Sequence, residues 1–327
     1  MDRLSGDLEG NEDGGGLRDT PAIPLRSEAE ILLERSAQRL AVPDELLNLN
    51  ELDVLYDGDS SALWTFMRPV NRPSFTPTML ADFDRWQSLI GETFGPSRVP
   101  LKYLILGSRS PGVFCFGGDL DLFHRLIREG NREGLTTYGY RCVEILNRNR
   151  HALDLPMVTI GLVQGQALGG GFEALLSFDF IIAERESKFG LPEIMFGLFP
   201  GMGAHAFLSR KVGSAIANRM ILSNETYSAE EMYELGIVHQ LAEPGEGIAA
   251  VRDFIAKSDR RHGGLVNARR AMRVSANIEM AEFYKIVDLW ADAALQLREQ
   301  DLKLMQRLAD AQARAAKGFA PLRRASG

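Results

Sequence analysis

The sequence predicts an α/β fold, and three observations lead to that prediction. Short runs of apolar and β-branched residues alternate with segments of helical periodicity through the middle of the 327-residue chain. Glycine-rich turns directly follow two of the apolar runs, as is typical where a buried strand ends and a helix begins. From about residue 251 the pattern is helical only. We therefore expect three parts: a flexible leader over 1–45, an α/β core over 46–250, and a helical subdomain with a basic tail over 251–327.

The first strand and helix of the core are predicted by their apolar patterns. The run "ALWTFMRP" is rich in β-formers and is stopped by Pro69. The segment "PTMLADFDRWQSLIGETFG" has helical spacing, with apolar side chains at Met79, Phe83, Trp86 and Ile90. The run "VPLKYLILGS" then predicts a buried strand.

The next elements repeat this alternation. In "DLDLFHRLIREG" we expect a helix with Asp119 as its N-cap and Gly130 just after its end. The run "PMVTIGLVQG" predicts a strand, a helix follows the triple glycine, and "FDFIIAE" predicts another strand. In the C-terminal third, one apolar stripe at helical spacing is typical of core or of a subunit interface. Its members are Phe283, Val287, Trp290, Ala294, Leu297, Leu304, Met305 and Leu308.

Composition excludes several classes of protein. The net charge of −7, from 37 basic and 44 acidic side chains, argues against a nucleic-acid binder. No run approaches the roughly 18–20 apolar residues of a membrane span. The leader is acidic and glycine-rich, with a short apolar helix predicted near Glu28–Leu40, and it lacks the apolar region of a secretory signal. The two cysteines, Cys115 and Cys142, form no CxxC pair, which favours a reducing cytoplasm.

Neither a metal ion nor a nucleotide is predicted as a cofactor. The sequence has no HExxH motif and no Cys/His cluster. Gly165 and Gly170 have the spacing of a phosphate-binding loop, but Gly171 stands where that loop needs lysine. The segment "GQALGG" lacks the second glycine of a dinucleotide-binding turn. Carboxylates and backbone N–H groups remain as the candidate catalytic groups.

The two glycine-rich turns are "FCFGGDLDLF" and "QGQALGGGFE". A helix N-terminus presents unpaired backbone N–H groups, and glycine lets a ligand approach them closely. If both turns meet at one point, they form an oxyanion hole, in which one donor contributes roughly 10²–10³ in rate.

Two glutamates lie in apolar sequence near these turns. Glu173 lies three residues after Gly170, and Glu193 follows 20 residues later in "FGLPEIMFGLFPGMG". Apolar surroundings move the pKa of a carboxyl toward neutrality, which suits general acid–base catalysis. Two such groups can divide the roles of acid and base.

These motifs together resemble a known family. The stretch "GQALGGGFEALLSFDFIIAERESKFGLPEIMFGLFPGMGA" resembles the signature of the crotonase (enoyl-CoA hydratase/isomerase) superfamily, and "FCFGGDL" is similar to its other oxyanion turn. Within the superfamily, "VQGQALGGGFEA", "GLPEIMFGLFPGMGA" and "LWADAALQL" look most like the diffusible signal factor synthases, which make cis-2-unsaturated fatty acid quorum signals.

The resemblance implies a fold and a site. The fold would be a β-β-α spiral with a C-terminal helical subdomain, assembled as a homotrimer or a dimer of trimers. The family's oxyanion donors fall on the N–H groups of Gly118 and Gly170, and its catalytic acids fall on Glu173 and Glu193. The subfamily's pocket-lining positions fall on Leu168, Met202, Trp290 and Leu308.

The resemblance also implies a reaction and partners. Such synthases take a 3-hydroxyacyl chain from acyl carrier protein, dehydrate it to the cis-2-enoyl thioester and hydrolyse the thioester. No metal or other cofactor is implied. The receiver domain of a sensor kinase is the implied regulatory partner. Where generic hydratases read G-A-D-[IL], this chain reads "GGDLDLF", which suits the synthases and weakens the expectation of coenzyme A recognition.

Two other functions remain open from the sequence. One is a plain enoyl-CoA hydratase of fatty-acid degradation, which would release no free acid. The other is a non-catalytic regulatory protein on a crotonase scaffold. Retention of both Glu173 and Glu193 argues against the scaffold, because binding alone does not need paired acids.

Overall fold

The structure, a computed structural model, describes Leu33 and residues 42–318. Most of the predicted leader, and the helix predicted near Glu28–Leu40 apart from Leu33, lie outside the described residues, as do residues 319–327 of the basic tail. The helix Asp44–Leu47 begins inside the segment assigned to the leader. The three-part division of the chain stays a prediction.

The described strands form two sheets. The first sheet contains β1 (Leu52–Asp57), β2 (Ala62–Met67), β3 (Tyr103–Ser108), β5 (Val158–Val163), β7 (Phe180–Glu184) and the short strand β10 (Gln240–Ala242). They lie in the order β1-β2-β3-β5-β7-β10. The second sheet contains only three-residue strands, which are β4 (Val113–Cys115), β6 (Gln166–Leu168), β8 (Lys188–Gly190) and β9 (Thr226–Ser228), in the order β4-β6-β8-β9.

The described helices precede, connect and follow these strands. They are α1 (Asp44–Leu47), α2 (Pro77–Thr93), α3 (Leu120–Arg128), α4 (Arg132–Arg150), α5 (Gly170–Leu175), α6 (Ala204–Val212), α7 (Ser214–Leu222), α8 (Ala229–Glu234), α9 (Gly247–Ser258), α10 (His262–Ser275), α11 (Met280–Ala294) and α12 (Glu299–Gly318). Single 3₁₀ turns cover Ala152–Asp154, Pro192–Phe196 and Asp259–Arg261. No helix of the described part is both long and apolar enough to cross a membrane.

The chain advances as a β-β-α spiral, as the resemblance implies. A long strand is followed by a short strand and then by helix, and this unit is repeated from β3, β5 and β7. The long strands β3, β5 and β7 pair in parallel in one sheet. The short strands β4, β6 and β8 pair in parallel in the other. Successive turns of the spiral therefore place equivalent positions next to one another.

Alternation along the long strands divides the core in two. Leu104 and Leu106 of β3 pack into the larger cluster, which contains α2, α4 and α5. Tyr103 and Ile105 point to the opposite face and pack with α9 and α10 in a smaller cluster. Leu33 is fully buried in that smaller cluster. Because successive side chains of a strand point to opposite faces, strands buried on both sides read as continuous apolar runs.

Local signals explain where helices begin. Thr76 accepts a hydrogen bond from the N–H of Met79, and Pro77 is the first residue of α2. Asp119 accepts from the N–H of Leu122, so it is the N-cap of α3 as predicted. Gly130 follows that helix at φ 62°, which confirms its predicted place.

The predicted C-terminal stripe is divided between two helices. Phe283, Val287, Trp290 and Ala294 lie on α11 and are buried. Leu297 lies in the turn after α11, and the remaining three members lie on α12. The prediction that one stripe continues from Phe283 to Leu308 was therefore wrong, because the helix that carries its first part ends at Ala294. The connecting residues carry no glycine or proline, so periodicity alone did not indicate the break.

Candidate active site

The site lies where three parallel short strands end. β4 leads into the turn before α3, β6 into the turn before α5, and β8 into the 3₁₀ turn Pro192–Phe196. Because β4, β6 and β8 are neighbours in one sheet, their carboxyl ends meet at one edge. The two predicted glycine-rich turns and the segment of Glu193 are thus brought together by strand pairing.

Backbone contacts bring Gly118 and Gly170 close together. A Cβ atom on Gly117 would lie 2.5 Å from the amide nitrogen of Gly170, and one on Gly170 would lie 3.5 Å from that of Gly118. Gly117 has φ +90°, a conformation that favours glycine. Within the described residues, the N–H groups of Gly118 and Gly170 donate no hydrogen bond. Two adjacent N–H groups are therefore available for one oxygen atom.

Pairing with the segment before α2 fixes the first of these turns. The N–H of Phe75 donates to the carbonyl of Gly117 at 2.7 Å, and the N–H of Phe116 donates to that of Pro73 at 2.7 Å. The turn at Gly118 is therefore stabilised by residues that precede its own β-β-α unit in the sequence.

Glu173 lies in the first turn of α5 and is buried. Its Oε1 atom accepts hydrogen bonds from the N–H groups of Met202 and Ala204, each at 2.9 Å. Burial raises the pKa of Glu173 to about 7, while the N–H donors of Ala204, Met202 and Gly203 lower it. The upward shift of this pKa agrees with the apolar sequence neighbours of Glu173. It brings the carboxyl into the pH range that acid–base catalysis needs.

Glu193 lies in the 3₁₀ turn after β8. Its residue is half-buried, but Oε2 is buried and has no hydrogen-bond partner within the described residues. A Cβ on Gly169 would lie 2.6 Å from Glu193 Oε1, so this carboxyl reaches the turn before α5. Burial and then the charge of Glu173 raise the pKa of Glu193 well above its usual value. The two carboxyls interact, so they titrate as a pair.

Both glutamates face one cavity, called here the reaction cavity, with about 610 Å³ of space not filled by atoms. Seven of the eight predicted site residues line it, namely Gly118, Gly170, Glu173, Glu193, Met202, Trp290 and Leu308. Leu168 does not line it. Its Cδ2 atom instead lies 3.4 Å from where a Cβ on Gly190 would stand, toward β8. The assigned roles stay predictions.

The last two helices close the reaction cavity. Trp290 of α11 packs on the backbone of Gly201, where a Cβ would lie 2.7 Å from the indole ring. The same ring meets Phe123 of α3 edge to face, with centroids 5.0 Å apart. Leu308 and Gln312 of α12 complete the wall. The wall is mostly apolar and suits an acyl chain.

Sequence reasoning missed Tyr138, which also lines the reaction cavity. Its buried hydroxyl donates to the carbonyl of Phe75 at 2.5 Å and accepts from the N–H of Asp119 at 3.3 Å. Burial raises the pKa of Tyr138 well above its usual value, so the phenol stays neutral. Tyr138 lies on α4, a helix outside the recognised motifs, and no sequence signal marks it.

The described residues contain no group of three or more His, Cys, Asp or Glu side chains that could hold a metal ion. The chemical groups of the reaction cavity are two N–H donors and two carboxyls with raised pKa values. Such a set can polarise a carbonyl, stabilise an enolate and move protons at the adjacent carbons.

Comparison with known proteins agrees with this geometry. The chain is 30% identical over 224 residues to the enoyl-CoA isomerase/hydratase fer4 of Mycosarcoma maydis, covering 65% of this chain and 77% of that protein. It is 31% identical over 153 residues to mitochondrial methylglutaconyl-CoA hydratase of Mus musculus, covering 46% of each, so it matches about half of that relative's length. Among solved structures, Pseudomonas aeruginosa DspI matches with a TM-score of 0.61 and 25% identity, covering 70% of this chain and 88% of DspI.

The family follows from the same comparisons. The sequence model described as enoyl-CoA hydratase/isomerase matches residues 63–250, more than half of the chain. That match spans both glycine-rich turns and both glutamates. With its spiral of paired strands and its two facing turns, this chain belongs to the enoyl-CoA hydratase/isomerase family, within the crotonase superfamily.

Proposed function

We propose that this protein is an enzyme like the diffusible signal factor synthases. It would dehydrate a 3-hydroxyacyl thioester on acyl carrier protein to the cis-2-enoyl thioester, then hydrolyse it to the free cis-2-unsaturated fatty acid. One observation carries the proposal: Glu173, Glu193 and the N–H groups of Gly118 and Gly170 converge on one apolar cavity.

The dehydration uses these four groups. The N–H groups of Gly118 and Gly170 donate to the thioester oxygen and stabilise the enolate formed when a carboxylate removes the C2 proton. The C3–O bond then breaks, and the other carboxyl protonates the departing hydroxyl as water. Burial raises the pKa of both carboxyls, which suits a reaction that needs one protonated and one ionised carboxyl.

The hydrolysis follows from the same arrangement. Water between the two carboxyls attacks the thioester carbonyl and gives a proton to the carboxylate that protonated the departing hydroxyl, while the same N–H groups donate to the oxyanion. The C–S bond breaks, the thiol leaves with a proton, and the carboxylic acid is released. The carboxyl that accepted the C2 proton supplies the proton that the thiolate takes.

The likeness to DspI and the sequence resemblance to the synthases support this choice within the family. The second candidate is an enoyl-CoA hydratase, which adds water to a trans-2-enoyl thioester and leaves the thioester intact. The similarity to the enoyl-CoA isomerase/hydratase of Mycosarcoma maydis favours it. Both candidates use the same catalytic groups and differ in carrier, double-bond geometry and release of free acid.

Partners and location belong to the same proposal. Acyl carrier protein would deliver the substrate, a receiver domain would restrain synthesis, and the chain would assemble as a homotrimer or dimer of trimers in the cytoplasm. No cofactor is required by the steps above, because each uses only carboxyl, amide and water protons.

The test is to express the chain in a bacterium that makes no such signals and to analyse extracted fatty acids by mass spectrometry. Cis-2-enoic acids are the expected product. The purified protein is then given 3-hydroxyacyl groups on acyl carrier protein or coenzyme A, with free thiol measured alongside product. Hydration of trans-2-enoyl-CoA without thiol release would establish the hydratase instead.

A further inference from the structure

Gln312 is a buried polar side chain of α12 that the reaction steps above do not use. The residue is 7% exposed, and it lines the reaction cavity. Its Oε1 atom is buried and has no hydrogen-bond partner among the described residues. Buried amide oxygens are nearly always hydrogen-bonded, so an unpaired one in the wall of a reaction cavity indicates a donor on the ligand.

Packing of α12 does not explain glutamine at this position. Gln312 continues the buried side of the helix, where Leu302, Met305 and Ala309 are apolar and recur at helical spacing. Burial of an unpaired amide costs free energy that an apolar side chain of the same length does not cost. Methionine has that length, is unbranched and is a good helix former. The amide of Gln312 therefore indicates a role in binding and not in the fold.

The direction of α12 brings its later residues toward the first glycine-rich turn. At the end of α3, Arg128 pairs with Glu299 at 2.7 Å. Near the beginning of α3, Asp121 accepts from Nε2 of Gln306 at 3.2 Å. The two helices therefore run antiparallel, and the residues after Gln306 approach the beginning of α3, which directly follows the turn. Gln312 thus lines the part of the cavity in which the first carbons of an acyl thioester would lie.

The substrate of the proposed reaction carries one suitable donor in that part, the C3 hydroxyl. The thioester oxygen only accepts hydrogen bonds, and the hydrocarbon chain makes none. The amide N–H groups of a carrier arm lie beyond the sulfur, on the way out to the carrier, whereas Gln312 Oε1 is buried. The phenol of Tyr138, in the same wall, donates to the Phe75 carbonyl instead. A hydroxyl both donates and accepts, so it can pair with either end of the amide.

We propose that Gln312 binds the C3 hydroxyl of the substrate, and so selects 3-hydroxyacyl chains over unsubstituted ones. The hydroxyl donates to the amide, which leaves its oxygen lone pairs free for the carboxyl that protonates it. An unsubstituted chain would leave the buried amide unpaired, which disfavours its binding. This inference rests on the proposed function for the identity of the substrate.

Gln312→Met tests the inference, because it keeps the length of the side chain and removes the amide. We expect kcat/KM for a 3-hydroxyacyl thioester to fall by about tenfold, because one hydrogen bond to the substrate is lost. The inhibition constant of the saturated thioester with the same chain and carrier should stay within about twofold, because that ligand has no C3 hydroxyl. The melting temperature should be unchanged or higher, since an unpaired amide leaves the interior.

The control is Gln300→Met, a matched exchange at an exposed position of α12, which should change neither constant. Equal changes in both constants for Gln312→Met would mean that the side chain only packs against the ligand, and would overturn the inference. No change in either constant would also overturn it, because water would then satisfy the amide. If Gln312→Met does not fold, the same two constants for Gln312→Leu decide.

A binding measurement separates this inference from the proposed reaction. If no thioester is converted, calorimetry with the same 3-hydroxyacyl and saturated thioesters compares their affinities directly. Tighter binding of the hydroxylated thioester that is lost in Gln312→Met would support the inference although the reaction fails. If free cis-2-enoic acid is produced and Gln312→Met leaves the preference for the hydroxylated chain unchanged, the inference fails and the reaction stands.

Discussion

The backbone N–H of Met202 donates to Oε1 of Glu173 at 2.9 Å. The N–H of Ala204 reaches the same oxygen, so the beginning of α6 is tied to the helix that carries Glu173. These donors favour the ionised carboxylate and oppose the effect of burial. Among the described residues no such donor reaches Oε2 of Glu193, and the pKa of Glu193 is raised further. Backbone N–H donors therefore give the two carboxyls different hydrogen-bonding environments.

Replacing either acid by its amide should abolish product formation while the fold remains. Glu173→Gln keeps an oxygen that accepts from Met202 and Ala204, and Glu193→Gln keeps the size of the side chain. Loss of acid–base function should lower the rate by about 10²–10⁴. Mass spectrometry of product and circular dichroism of the variants measure the two effects. Normal product from either folded variant would contradict the mechanism.

The raised pKa of Glu173 predicts a pH dependence of stability. In the unfolded chain Glu173 ionises near its ordinary value of 4.5, but in the folded protein it keeps its proton up to about pH 7. Its contribution to the free energy of unfolding is therefore fully present below pH 4.5 and is lost as pH rises through 7. Relative to wild type, Glu173→Gln should gain up to about 3 kcal/mol between pH 5 and 8. Denaturant unfolding of both proteins at each pH measures the difference, and parallel curves would contradict it.

Gly117→Ala should damage the proposed oxyanion hole. The new methyl would lie 2.5 Å from the amide nitrogen of Gly170, and φ +90° is unfavourable for alanine. The two turns must move apart, and we expect a rate loss of about 10²–10³. Gly264→Ala is the control, because no heavy atom lies within 4 Å of its Cβ position and it lies within α10. Steady-state kinetics and thermal unfolding distinguish loss of the hole from loss of the fold.

Tyr138→Phe should loosen the turn at Gly118 without removing a reacting group. The phenol connects the Phe75 carbonyl to the Asp119 N–H, directly beside Gly118. We expect kcat to fall by about tenfold with little change in KM, and stability to fall by about 1–3 kcal/mol because a buried acceptor loses its donor. A proportional change in KM, or no change in kcat, would exclude this positioning role.

The sequence predicted the elements whose signals are local. The strands of the first sheet over 62–67, 103–108, 158–163 and 180–184 are continuous apolar runs, and the N-cap Asp119 lies next to the helix that it begins. The raised pKa values of both glutamates also agree with prediction, since apolar sequence neighbours already indicated burial.

Other features could not be predicted from residues that are neighbours in the sequence. Strands β4, β6 and β8 have three residues each, too few for a period to be recognised, yet their pairing brings the two turns together. Leu168 lies in the glycine-rich motif, but its side chain points toward Gly190 instead of into the reaction cavity. A side chain's direction on a strand depends on register with the neighbouring strand, which is a tertiary property.

By itself, the sequence determined the α/β class, the two glycine turns and the pair of acids, because each depends on residue types close together in the chain. Only the tertiary structure decided that Gly118 approaches Gly170, that the N–H of Met202 donates to Glu173, and that Tyr138 supports the turn at Gly118. These contacts join residues far apart in sequence, and they arise from strand pairing and helix packing, which no local pattern records.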